Sequence, residues 1–144
     1  MIEAREDLWP SDFPGVNDPA PVALLKEQAE FLVRKTNGDI EGVVRLVIEK
    51  DTAHHIMYLK ASRVDLMVAV IMIEYSPFKD IDSVYPILAY PPGDGGAGFG
   101  PKVTIANDEE FRRWLRDQLS SKSMLSRIGV LKSYIRDMIE AEAS

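Results

Sequence analysis

The chain has 144 residues, no cysteine and a formal net charge of −6. This length suits one domain with a single hydrophobic core, and the lack of cysteine excludes disulfides, thiolate metal sites and thiol nucleophiles. Through residue 100 there are 16 acidic and 9 basic side chains, a balance that disfavours binding to nucleic acid or to an anionic membrane and favours a basic protein partner.

Residues 1–20 predict a tail that precedes a single domain over residues 21–144. The tail holds three prolines and five acidic side chains without an apolar period. Trp9 and Phe13 are each followed by a proline, and because such aromatics are costly to leave in water, we expect them either to pack along the domain or to anchor a protein partner. The start lacks a signal-peptide pattern and no apolar run is long enough to span a membrane, so we expect a cytoplasmic protein.

A first helix is predicted to start near Pro21 and to end at Asn37 and Gly38, where glycine supplies a left-handed cap. Its stripe consists of Leu24, Leu25, Gln28, Phe31, Leu32 and Lys35. Because these positions follow helical spacing, we expect the helix to pack by one face.

Four strands are predicted to follow, joined by links short enough for an antiparallel meander. From Ile40 the apolar period is two, with Gly42, Val44, Leu46 and Ile48 on one face. The second and third strands are "HHIMYLKAS" and "VDLMVAVIMIEYS", and the third is apolar on both faces, as in the middle of a sheet. The fourth, "SVYPILAY", contains Pro86, which favours an edge position because proline cannot donate to a ladder.

Two helices are predicted at the C-terminal end, after a short extended piece, "KVTIA". Asn107 and Glu110 form a capping-box-like start for the first, and the second runs from about Met124 to Ala141 with Ser123 as its cap. The predicted fold class is therefore α+β, a four-stranded, mainly antiparallel sheet preceded by one helix and followed by two. The helices either divide between the sheet faces, or a second subunit covers one face in a homodimer.

The glycine-rich segment 91–102 raises the question of phosphate binding, because Gly93, Gly95 and Gly98 match G-x-G-x-x-G. With Gly100 and Lys102, the segment also falls one residue short of a P-loop. Both motifs need a helix that begins at the last glycine, whereas here a proline and β-prone residues follow. We expect a connecting loop; the alternative is a nucleotide- or phosphometabolite-binding enzyme that uses Gly93–Lys102.

His54 and His55 are the two histidines, so imidazole chemistry must run through them. With Asp51 at the same hairpin they form an alternative metal site, but neighbours on a strand point to opposite faces, so we expect ordinary hairpin residues and no cofactor. Arg112, Arg113 and Arg116 form a basic cluster. We expect Asp108 and Glu109 to neutralise most of it as i,i+4 partners. No aromatic side chains interleave with the cluster, so nucleic-acid binding lacks a stacking platform.

Taken together, the patterns predict a non-enzymatic, cytosolic protein-interaction module. The candidate partners are a second copy of the chain or a basic protein such as a nuclease toxin, which would make this protein antitoxin- or immunity-like. Trp9 and Phe13 are the candidate contacts.

Overall fold

The computed structural model describes residues 5–80, 82–94 and 98–143. One helix precedes an antiparallel sheet and two helices follow it, so the predicted α+β fold is confirmed, with five strands in place of four. The elements are α1 (Ala20–Lys35), β1 (Glu41–Glu49), β2 (Thr52–Ala61), β3 (Leu66–Tyr75), β4 (Ile87–Tyr90), β5 (Val103–Ile105), α2 (Asp108–Leu119) and α3 (Lys122–Ala143).

The strands lie in the order β1-β2-β3-β4-β5, the meander that the short links predicted. β3 is interior, as its apolar sequence indicated. The edge position expected for β4 is wrong, because its paired part begins at Ile87, after the proline, and the piece predicted as merely extended pairs with it as β5. Pro86 therefore never has to donate to the ladder.

The hydrophobic core lies on one face of the sheet, which we call the helix face. Along β2, buried residues alternate with half-buried ones, and the buried set continues onto the neighbouring strands through the register. The largest fully buried side chains include Phe111, Leu25, Ile40, Met57, Leu59, Ile71, Ile73, Ile87, Leu115 and Met124. Because all three helices contribute to this core, they do not divide between the two faces as one alternative required.

The opposite face of the sheet carries the half-buried residues of β2, among them Ile56 and Tyr58. At its far end the ring of Phe99 meets that of Tyr90 edge-on, with centroids 6.2 Å apart. Among the described residues no helix packs there, and none is long and apolar enough to cross a membrane.

Local hydrogen bonds explain where the helices begin and end. The Asn107 side chain accepts from Glu110 N at 2.9 Å, as predicted, whereas the Glu110 carboxylate accepts from Ala106 N at 2.8 Å in place of Asn107 N, so one of the two bonds of a capping box forms. The cap of α3 is Ser121, which accepts from Met124 N at 3.2 Å, so the helix begins two residues earlier than predicted. After α1, Asn37 and Gly38 both have positive φ, 53° and 86°, so the left-handed cap begins at Asn37 and continues into the predicted glycine.

Candidate functional site

The glycine-rich segment folds back on itself instead of leading into a helix. Gly93 N donates to Gly98 O at 3.1 Å, and Gly100 N donates to Pro91 O at 2.8 Å. Beyond Lys102 the chain enters β5, and α2 begins only at Asp108. Gly98 and Gly100 thus lead into extended backbone, as expected, and not into the helix N-terminus of a phosphate fingerprint. Gly95 lies outside the described residues.

The carbonyl at the start of this segment is held by α3. Gly93 O accepts from Ser123 Oγ at 3.0 Å and from Arg127 Nη2 at 2.8 Å. Arg127 is 6% exposed, and its Nη1 also donates to Ala69 O at 3.4 Å. Since β4 ends opposite Met72, Ala69 lies beyond the paired part of the β3–β4 ladder. The guanidinium therefore supplies donors where the ladder stops.

The nucleotide-binding alternative stays a prediction, and a thermal-shift screen with nucleotides and Mg²⁺ tests it. A true ligand at about 100 times its dissociation constant adds about 2.7 kcal/mol to the free energy of unfolding. No shift across the panel would remove this alternative.

The two histidines point to opposite faces, as the strand period predicted. His54 Nε2 lies 3.6 Å from Glu74 Oε1 on the face of the sheet opposite the helices. His55 is buried on the helix face, where its ring stacks on Tyr75 and its Nδ1 lies 3.3 Å from the Tyr75 hydroxyl. A single metal ion cannot be shared by rings on two sides of a sheet.

The surroundings of His55 disfavour its charged form. Burial lowers the pKa of His55 below its ordinary value of 6.5, the positive charge of Lys26 lowers it further, and the carboxylate of Asp18 opposes both. Asp51 lies in the exposed turn between β1 and β2. Within the described part of the chain, no three histidine or carboxylate side chains converge in a way that could hold a metal.

The tail aromatics do not pack along the domain. Trp9 is 72% and Phe13 64% exposed, and the two rings contact each other with centroids 5.7 Å apart. Within residues 5–20, the ion pair that holds the tail lies near its end, where Asp18 pairs with Lys26 at 3.1 Å. A role for these aromatics as partner contacts stays a prediction.

Strand β1 forms one edge of the sheet, and within the described residues only β2 pairs with it. It pairs with β2 over nine consecutive positions, from Glu41 to Glu49, without a bulge. Leu46, Val47 and Ile48 are 53%, 41% and 60% exposed, although Leu46 and Ile48 lie on the helix face. Of the features that normally protect a sheet edge, β1 has no proline, no bulge and no short length, and its protection is limited to the charged residues Glu41, Arg45 and Glu49.

A cleft of about 510 Å³ opens between α1, α2 and the start of α3, with β2 as its floor. Its apolar lining is Leu24, Phe31, Leu32, Met57, Leu59, Leu115, Leu119, Met124, Leu125 and Ile128. Three cationic side chains also line it: Lys35 from α1, and Arg112 and Arg116 from α2. Its volume is that of a small-molecule site.

The neutralisation predicted for the arginine cluster is only partly right. Arg113 pairs with Glu109 at 3.4 Å, as expected. The predicted pair between Asp108 and Arg112 is wrong, because the Asp108 carboxylate accepts a short hydrogen bond from the Tyr85 hydroxyl. Burial raises the pKa of Tyr85 well above its ordinary value, and the hydrogen bond to Asp108 raises it further. Arg112 is left to line the cleft.

The cleft was missed from sequence, although one signal was present: the apolar stripe of α1 is interrupted by Gln28 and Lys35, both of which line the cleft. The hydrogen bond that Asp108 accepts from Tyr85, 23 residues away in the sequence, left no such signal. Comparisons with protein-family models, with curated proteins and with solved structures gave no match.

Proposed function

We propose that the protein is a non-enzymatic, cytoplasmic interaction module that adds an extended segment of another protein to the free edge of β1. The observation that carries this proposal is the run Leu46–Val47–Ile48, which is exposed on both faces of an unpaired edge. In strand addition the backbone groups of the edge supply affinity, and alternating side chains supply specificity.

The exposed run suits such a partner because it offers apolar contacts on both sides of the incoming strand. Leu46 and Ile48 would contact side chains on the helix face, and Val47 those on the opposite face. Burial of apolar surface contributes about 25 cal/mol per Å², so three half-exposed aliphatic residues add substantially to the backbone hydrogen bonds.

Charge favours a basic segment as the partner. The exposed run is flanked by three acidic residues, Glu41, Glu49 and Asp51, against two cations, Arg45 and Lys50, which leaves a local excess of one negative charge. The acidic excess of residues 1–100 extends the same field. Electrostatic attraction of this kind raises association rates and weakens as salt rises.

Capture experiments on the full chain, produced with an affinity tag in its native cells, test the proposal. Ile48→Lys places a charge on the exposed edge, while Val130→Lys makes a comparable change at an exposed site on α3. We expect a basic polypeptide to be retained by the parent and by Val130→Lys, lost by Ile48→Lys, and released by salt. The captured polypeptide must then bind the purified parent.

Sedimentation equilibrium separates this proposal from self-association. A dimer of the parent that Ile48→Lys dissociates would assign the edge to a second copy, in an isologous β1–β1 pair. Retention of the same partner by parent and Ile48→Lys would remove β1 from the interface, and salt-insensitive binding would remove the argument for a basic partner.

A further inference from the structure

The interhelical cleft combines an apolar floor with a cationic rim. Met57 and Leu59 form the floor from β2, and their side chains belong to the main core. Pockets that hold small molecules occupy about 300–1,000 Å³ and are largely apolar with a few polar groups that orient the ligand. The cleft, at about 510 Å³, meets both conditions.

The three cations of the rim are solvent-exposed, and Arg112 lies close enough to Tyr85, which donates to Asp108, to act on it electrostatically. Arg112 and Arg116 are i,i+4 neighbours, so they lie on the same side of α2, and Lys35 lines the cleft from α1. Across residues 5–80, 82–94 and 98–143, none of the three forms an ion pair, and no carboxylate lines the cleft. Like charges placed together repel unless an anion joins them.

The other polar side chains of the cleft are mostly engaged already. Thr36 Oγ1 donates to Leu32 O at 2.9 Å and accepts from Ile40 N at 3.0 Å, and Ser120 Oγ donates to Arg116 O at 3.0 Å. Gln28 adds a neutral amide. What the cleft offers to a ligand is therefore positive charge beside apolar surface.

We propose that this cleft binds a small anionic amphiphile, with an acyl or aryl body against the apolar floor and a carboxylate or similar anionic head between Arg112, Arg116 and Lys35. Arginine suits this task because its planar guanidinium can donate two hydrogen bonds to one carboxylate. The site is independent of β1, whose exposed run does not line it.

The tail of the chain is the rival occupant, since it too carries aromatics and acidic groups. In the structure, however, Trp9 and Phe13 contact each other and are exposed, and neither lines the cleft. A separate small ligand is therefore the occupant that the geometry favours, and the experiment includes a variant that detects the tail.

Isothermal titration calorimetry of the full chain with three ligands of equal chain length tests the proposal. Decanoate, decanol and decyltrimethylammonium are used below their micellar concentrations. We expect decanoate to bind about tenfold more tightly than decanol, since one charge-assisted hydrogen bond at an exposed rim contributes about that factor. Decyltrimethylammonium should bind more weakly than both.

The paired substitution Arg112→Gln with Arg116→Gln should abolish the preference for decanoate while decanol binding stays unchanged. Arg113→Gln is the matched control, because Arg113 lies on the same helix but pairs with Glu109 and does not line the cleft. Circular dichroism melting checks that each variant is folded.

Three results would overturn the proposal. One is equal affinity for the anionic and neutral ligands, or no binding of either. Another is an equal loss of decanoate binding in Arg113→Gln and in the paired variant. The last is binding that appears only when Trp9 and Phe13 are both replaced by alanine, because the tail would then be the occupant.

Discussion

The two halves of β1 have the same sequence period and different surroundings. In residues 41–44 the strand lies against α1, where Gly42 packs so closely on Ala29 that an added Cβ would lie 2.6 Å from the Ala29 Cα. In residues 45–49 the same period places Leu46 and Ile48 on the helix face, yet both are exposed. Alternation thus determines which face a side chain joins, while the position of the helix determines whether it is covered.

Replacing Gly42 with alanine should give the largest effect. The new Cβ would overlap backbone atoms of α1, so the helix and strand must separate, and we expect the free energy of unfolding to fall by about 3 kcal/mol. Urea unfolding measures this loss. Gly129→Ala is the control, since nothing lies within 4 Å of a Cβ added at this exposed position of α3. Its free energy of unfolding should rise by up to about 1 kcal/mol. Equal responses would contradict the close contact.

Truncating one residue in each half of β1 should give a smaller difference in unfolding free energy between the two halves. Val44 packs against the core, so Val44→Ala should cost about 1 kcal/mol in unfolding free energy. Leu46→Ala removes more atoms but should cost less than about 0.5 kcal/mol, because Leu46 is mostly exposed. The reverse order, by urea unfolding, would mean that the second half is covered in solution.

The histidines opposite the second half extend the comparison to pH, since Leu46 faces His55 and Val47 faces His54 across the β1–β2 pair. The lowered pKa of His55 means that the unfolded chain takes up a proton more readily than the folded one. This contribution to stability is complete above pH 6.5 and is lost as the pH falls toward the folded pKa.

His55→Gln should remove that dependence, and His54→Gln should leave it in place. The measurement is the difference in unfolding free energy between each variant and the parent at a series of pH values from about 8 down to 5. Parallel curves for the parent and His55→Gln would show that burial of His55 does not carry the effect.

The smallest effect on stability is expected for Ile48→Lys. A charge at this exposed edge should change the unfolding free energy by no more than about 0.5 kcal/mol, even though it abolishes partner binding. Loss of binding together with a large loss of stability would mean that the variant had unfolded the strand and not its interface.

Local patterns predicted most of the fold because local causes govern it. Period two gave β1, and the side chains of Asn107 and Glu110 gave the start of α2. β5 was recognised only as extended, since three residues hold too little pattern to show that they pair with β4. In α3, Met124 and Arg127 are buried while Leu125 is exposed, and hydrophobicity alone cannot identify a buried arginine.

The site was harder to predict because it depends on contacts between distant segments. The pair between Asp108 and Arg112 has favourable helical spacing, but Tyr85, 23 residues earlier in the chain, takes the carboxylate. Helical periodicity cannot show that a residue from another segment will bind the carboxylate instead of the i,i+4 arginine. The sequence of β1 also could not show how far α1 covers the strand. The exposure of Leu46, Val47 and Ile48 was therefore not predicted.

Arg127 joins three parts of the molecule through one planar group. Its hydrogen bonds to Gly93 O and Ala69 O connect α3 both to the entrance of the glycine-rich segment and to β3. A displacement of α3 along its axis would pull on both carbonyls at once. The position of α3 is therefore coupled to the two carbonyls that Arg127 holds, one in β3 and one just after β4.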